Sequence, residues 1–373
     1  MSAALALALA WAGGLPQQVE APAVLRRAPE SLPVADEGRW EGWTPERAPE
    51  EPLRSAYLEA LAAYEQGRLV PALELLYAVL EAEPDYPAAL HQLGTVYFRL
   101  RRYGDARTAF ERFLALAPAA VGTTRALGHA HYSLGRYELA RAHYERVLAA
   151  DPDELEARRG LALAHFRLGE LEPGLELLDE VVRADPGHPE AHLWRARVLR
   201  ELGRDGDALA ATARARAAEP FDAAPWFLAA QLLRELGRDA EAGAAEARFR
   251  ELDPAQREVR RLRALLAYEP DEVRYLERIA RASAAVGDFR AAREALAQIV
   301  QRRPDDVAAR LFALCVLADA SDEAGARIVA GSIEREARES VEAWRALARF
   351  YGEVGDREGV LRARVELARL VGC

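Results

Sequence analysis

Four aromatic side chains stand 34 residues apart, at Tyr64, Phe98, Tyr132 and Phe166, and the same series continues with Arg200 and Arg234. A second series at that spacing holds Tyr57, His91, Arg125, Arg159, Leu193 and Phe227. His129 and Arg197 share a third, and Arg99 and Arg167 a fourth. Aromatic rings and arginine dominate binding hot spots. A guanidinium grips a carboxylate through two parallel hydrogen bonds. The chemistry offered is the holding of an acidic, partly apolar peptide. It is not the making or breaking of bonds.

Residues that could break bonds lack the company they need. The seven histidines are His91, His129, His131, His143, His165, His188 and His192, and none lies in H-E-x-x-H. Cys315 and Cys373 are the only cysteines, too few for a disulfide framework and wrongly spaced for a metal site. The chain contains no lysine and no asparagine, so all 50 basic residues are arginine. Without lysine the G-x-x-x-x-G-K-[ST] phosphate loop is impossible, and G-x-G-x-x-G and G-x-S-x-G are also absent. The sequence reads as a non-catalytic protein with no cofactor and no metal. A net charge of −10 argues against nucleic-acid binding and against an anionic membrane surface.

The elements that carry these side chains are set by prolines. Pro84, Pro118, Pro152, Pro186, Pro220 and Pro254 are 34 residues apart, and Pro270 and Pro304 repeat the interval. Such a period marks a two-helix repeat. Each proline is expected to end the second helix of a unit, because it cannot extend the hydrogen-bond ladder and forces its predecessor out of the α region. Counting the proline as position 32, position 8 is small (Ala60, Gly94, Gly128, Ala162, Ala196, Ala230). Position 15 is glycine in five of six units (Gly67, Gly135, Gly169, Gly203, Gly237), where the first helix must stop. Position 24 takes Leu76, Phe110, Tyr144 and Leu178.

On these residues the chain resembles the tetratricopeptide repeat family from about residue 53 to 373. The resemblance implies an all-α α-solenoid, a right-handed superhelix of about eight to nine stacked hairpins. Six regular units are expected over 53–254, an inserted helix and linker over 255–272, and three looser units over 273–373. The eighth unit lacks both glycine and proline, and the ninth acts as a terminal cap. The family lines its concave face with positions 2, 5, 9, 12 and 13 of the first helices. Carried onto this sequence, the groove would be built by Tyr57, Tyr64, His91, Phe98, Arg99, Arg125, His129, Tyr132, Arg159, Phe166, Arg167, Arg197 and Arg200, with units 2 to 4 gripping the client. The asparagine–lysine clamp that some members use on chaperone C-termini cannot form here. His131 and His165 fall at position 11, a core position in the family, and read as packing residues.

The N-terminus differs in composition. Ala3–Ala12 is an apolar run followed by few polar residues, with Ala10-Trp11-Ala12 as an A-x-A cleavage site, although no basic residue precedes it and the first is Arg26. Residues 1–14 are expected to be a signal peptide and the run is too short to span a bilayer. Residues 15–52 hold seven of the 20 prolines and read as an acidic, extended linker. Within it, Trp40 and Trp43 either pack on the first unit or form a docking motif. The function expected is a scaffold or assembly factor for a protein client, periplasmic or secreted in the bacterial envelope. A cytoplasmic regulator or co-chaperone, an accessory subunit of an enzyme complex, and a self-stacking array are the alternatives.

Overall fold

The computed structural model describes residues 53–303, 306–336 and 338–371. The expected signal peptide and the linker with Trp40 and Trp43 lie outside them. The described residues form eighteen helices and no strand. The helices pair in chain order as nine hairpins. The first three hairpins are α1 (Leu53–Glu65) with α2 (Leu69–Ala82), α3 (Pro87–Arg99) with α4 (Tyr103–Leu116), and α5 (Val121–Ser133) with α6 (Tyr137–Ala150). Next come α7 (Leu155–Leu168) with α8 (Leu171–Ala184), α9 (Pro189–Glu201) with α10 (Asp205–Ala218), and α11 (Ala223–Glu235) with α12 (Asp239–Leu266). The last three are α13 (Val273–Ala285) with α14 (Phe289–Arg302), α15 (Val307–Asp319) with α16 (Glu323–Glu336), and α17 (Val341–Glu353) with α18 (Arg357–Val371). Two compact units result. One comprises the residues up to Phe249 with Ala267–Pro270, the other Arg250–Leu266 with Asp271 onward.

Proline closes five of the first six hairpins as the spacing predicts. The residue before each leaves the helix with an extended φ of −129° to −136°: Glu83, Ala117, Asp151, Asp185 and Glu219. The sixth is a correction. Pro254 lies inside α12, which runs on for 28 residues to Leu266. The separate helix expected after Pro254 is the second half of α12. A helix-interior proline forfeits one ladder hydrogen bond and costs about 3 kcal/mol. Here the helix is supported on both sides by the fully buried Leu252 and Leu262 and by the Asp253–Arg257 ion pair, 2.5 Å long and one turn apart.

Between the paired helices the chain must turn with positive φ, and the five position-15 glycines do so at 70° to 80°. Two hairpins make the same turn without glycine. Arg101 in the second has φ 59° and Ser321 in the eighth has φ 62°. The eighth hairpin thus keeps the turn geometry its sequence no longer advertises. Left-handed backbone costs a side chain about 1 kcal/mol. Arg101→Gly and Ser321→Gly are each expected to stabilise the protein by about 1 kcal/mol, offset in part by unfolded-state entropy. Thermal unfolding of the two variants would test this, and a lowered Tm in both would contradict it.

Inside each hairpin the small residue at position 8 faces the bulky one at position 24. Leu76, Phe110, Tyr144 and Leu178 are all at most 1% exposed. A methyl group added at Gly94 would overlap the Phe110 ring. Position 24 therefore fixes how closely the two helices approach, and with it the angle at which the odd-numbered helices present their outer side chains.

Candidate functional site

The expected groove residues are carried by α1, α3, α5, α7 and α9, the first helices of five successive hairpins. Each member of the aromatic series is half-buried and has a ring or cation against it. The Arg99 guanidinium lies 4.7 Å from the Tyr64 ring centroid and donates from Nη1 to the Tyr64 carbonyl at 3.2 Å. Phe98 meets Tyr103 edge-on at 5.2 Å, Tyr132 meets Tyr137 at 5.4 Å, and Phe166 meets Trp194 at 5.7 Å. Tyr57 packs edge-on against Tyr86 at 5.4 Å.

The arginines divide into two groups. Arg125 donates to Glu154, whose other oxygen accepts from the Ala157 backbone N–H at 2.5 Å and so caps α7. Arg159 holds Glu156 at 2.5 Å and Glu190, on α9, at 2.6 Å. Arg200 donates to Gln231 at 2.8 Å and Glu235 at 2.6 Å. These three tie one hairpin to the next, and their carboxylate partners come from this chain. Arg99, Arg167 and Arg197 are different. Among the described residues, none of them has a carboxylate within ion-pair distance. Each instead lies over an aromatic ring, Arg167 at 4.5 Å from Tyr137 and Arg197 at 4.5 Å from Trp194.

Two of these cations share one patch. Arg167 also hydrogen-bonds Tyr132, and Trp194 beneath Arg197 touches Phe166. Tyr132, Phe166, Arg167, Trp194 and Arg197 thus form a single cluster drawn from α5, α7 and α9. Burial lowers the pKa of Arg197 from its ordinary value, partly offset by Asp222 and Tyr132. It remains charged, desolvated and short of counter-charge. Stacking on a ring fixes a guanidinium's plane and leaves its edge donors pointing outward. The cluster can therefore receive a carboxylate beside an apolar group.

The histidines are structural. His91 shares a hydrogen bond with Thr123 Oγ1 at 2.9 Å, and His129 Nδ1 shares one with the Tyr144 hydroxyl at 2.7 Å. Burial, with Arg159 and Arg125 nearby, pushes the pKa of His129 down to about 4. His131 is 4% exposed and stacks flat on His143 at 5.2 Å, and burial and His143 push it also to about 4. His165 is half-buried against Glu170. No group of three metal-ligating side chains exists among the described residues, and none of their helices is long and apolar enough to cross a membrane.

Trp194 and Tyr137 belong to the cluster and escaped the sequence reading, which followed only the family's lining positions. A signal was present in both cases. Trp194 and Arg197 are three residues apart, neighbours on a helix face. Tyr137 lies 34 residues after Tyr103, and both place a ring against an aromatic of the main series.

Models of the tetratricopeptide repeat family match residues 85–153, 125–189 and 174–232. No curated protein matches the chain. Among solved structures, PilW, described as a widely conserved type IV pilus biogenesis factor, is 19% identical, with 55% of this chain and 96% of that chain covered and a TM-score of 0.50. Pseudomonas aeruginosa pilF is 17% identical, covering 54% and 92%, with a TM-score of 0.47. MamA from Desulfovibrio magneticus RS-1 is 23% identical, covering 46% and 97%, with a TM-score of 0.43. At these identities the likeness is one of fold.

Proposed function

We propose, from the premise that this chain belongs to the tetratricopeptide repeat family, that it is a non-catalytic interaction scaffold which holds an acidic, partly apolar segment of a client protein on its odd-numbered helices. The observation that carries this reading is the cluster of Tyr132, Phe166, Arg167, Trp194 and Arg197, where two ring-stacked guanidiniums lack carboxylates of their own. An unpaired, partly desolvated cation gains more from an incoming anion than one already satisfied. The binding strip runs from Arg99 on α3 to Arg197 on α9, one hairpin further than units 2 to 4. Arg125 and Arg159 act there as ties between hairpins.

The apolar run Ala3–Ala12 with its A-x-A site favours action in the bacterial cell envelope, after export. N-terminal sequencing of the native protein tests that part, and a retained Met1 would count against it.

The binding reading is tested with a peptide array that varies acidic and aromatic content. Acidic-aromatic peptides should bind best, and Arg167→Ala with Arg197→Ala should weaken the best of them about 100-fold. Equal capture by wild type and the double variant would overturn the proposal.

A further inference from the structure

The first hairpin carries an open trough of about 530 Å³ between α1 and α2. Its apolar lining is Ala62, Ala63, Pro71, Leu75 and Ala78, and its rim includes the exposed Glu59 and Glu74. The same positions one repeat later show what the trough is. Glu59, Ala62 and Gln66 correspond to Leu93, Val96 and Leu100, which are 0%, 0% and 6% exposed. In the second hairpin that surface is covered by the first. In the first hairpin no described residue precedes it, and Glu59, Ala62 and Gln66 are exposed. Stacked repeats need such an end covered.

We infer that residues Arg39–Arg47, RWEGWTPER, fold back into this trough and close the N-terminal end of the stack. Three facts select this occupant. The chain outside the described residues ends at Pro52, and α1, one wall of the trough, begins at the next residue. The ten residues from Trp43 to Leu53 reach about 33 Å when extended. A helix as short as α1 spans about 20 Å, so every part of the trough is within reach. Next, the segment carries two tryptophans three residues apart, and large rings seat well over alanine and proline where no long side chain competes. Last, charge matches. Arg39 and Arg47 flank the tryptophans, while Glu59 and Glu74 have no ion-pair partner among the described residues. The inference is independent of what the odd-numbered helices bind.

The test replaces Ala78 with the photo-crosslinker p-benzoylphenylalanine in the full chain, followed by irradiation, trypsin digestion and mass spectrometry. Trypsin releases Trp40–Arg47 as one peptide carrying both tryptophans. The expected result is an intrachain link to that peptide, reduced about tenfold in the Trp40→Ala, Trp43→Ala variant, with α1 amides exchanging about tenfold faster in that variant. A link to a second copy of the chain would show that self-stacking covers the trough, and would overturn the inference. So would the absence of any link to Trp40–Arg47, or a link undiminished by the double substitution.

Discussion

Acidification from pH 7 to pH 4 is expected to destabilise the first compact unit by about 3 kcal/mol for each of His129 and His131. Both are held near 4 in the folded chain, first by burial and then by neighbouring cations and, for His131, by His143. In the unfolded chain they titrate near 6.5. Between those values the unfolded state binds more protons, so stability is full above about pH 7 and falls as the pH drops through 6.5 toward 4. His91 and His143 are shifted in the same direction by burial and steepen the fall. Carboxylates contribute mostly below this window, so the loss between pH 6.5 and 4.5 belongs to the imidazoles. Urea midpoints measured across that range should decline steadily. His131→Phe, which also removes a buried Nδ1 that has no hydrogen-bond partner, should flatten the decline by about half. A profile unchanged by that substitution would contradict the assignment.

The second large effect centres on Tyr144. Its ring is 1% exposed and is wedged between glycines of two hairpins. A methyl at Gly128 would come within 2.9 Å of its Cε1, and one at Gly160 within 2.6 Å. Tyr144→Ala empties that wedge and orphans His129, and should cost about 4 kcal/mol. Gly160→Ala overfills it and should cost about 2 kcal/mol. The two sites share one volume, so their effects should not add. In a Tyr144→Leu background, Gly160→Ala should be nearly neutral. Equal costs for Gly160→Ala in both backgrounds, read from denaturant unfolding, would mean that the ring does not set this spacing.

Most of the fold was legible because the repeat writes each constraint many times. The proline before each new unit, the glycine at positive φ and the small residue opposite a bulky one each recur, and each recurrence is enforced by a backbone or packing requirement. The misses have equally local causes. At Pro254 the flanking sequence is helical on both sides, and buried leucines outweigh one lost hydrogen bond. At Arg101 and Ser321 the turn survives without glycine, since the helices it joins are held by their own buried faces. The site was legible in outline only. The spacing located the aromatic and arginine side chains, but ion pairing is a contact between hairpins that spacing cannot reveal. Arg125 and Arg159 look like free cations in the sequence, yet Glu154, Glu156 and Glu190 engage them. Arg197 is made distinctive only by the ring it lies on and by the carboxylates that are missing around it.

The central claim is that a partner lies along the odd-numbered helices and is gripped by arginines stacked on aromatic rings. The most direct measurement compares two charge reversals of equal size. Arg167→Glu with Arg197→Glu alters the cluster, while Arg183→Glu with Arg214→Glu places the same charge on α8 and α10. Affinity for the best acidic-aromatic peptide, titrated at fixed salt, should fall more than about 100-fold in the first pair and less than about threefold in the second. Equal losses in the two pairs would mean that net charge alone draws the peptide, and that the cluster is not the site.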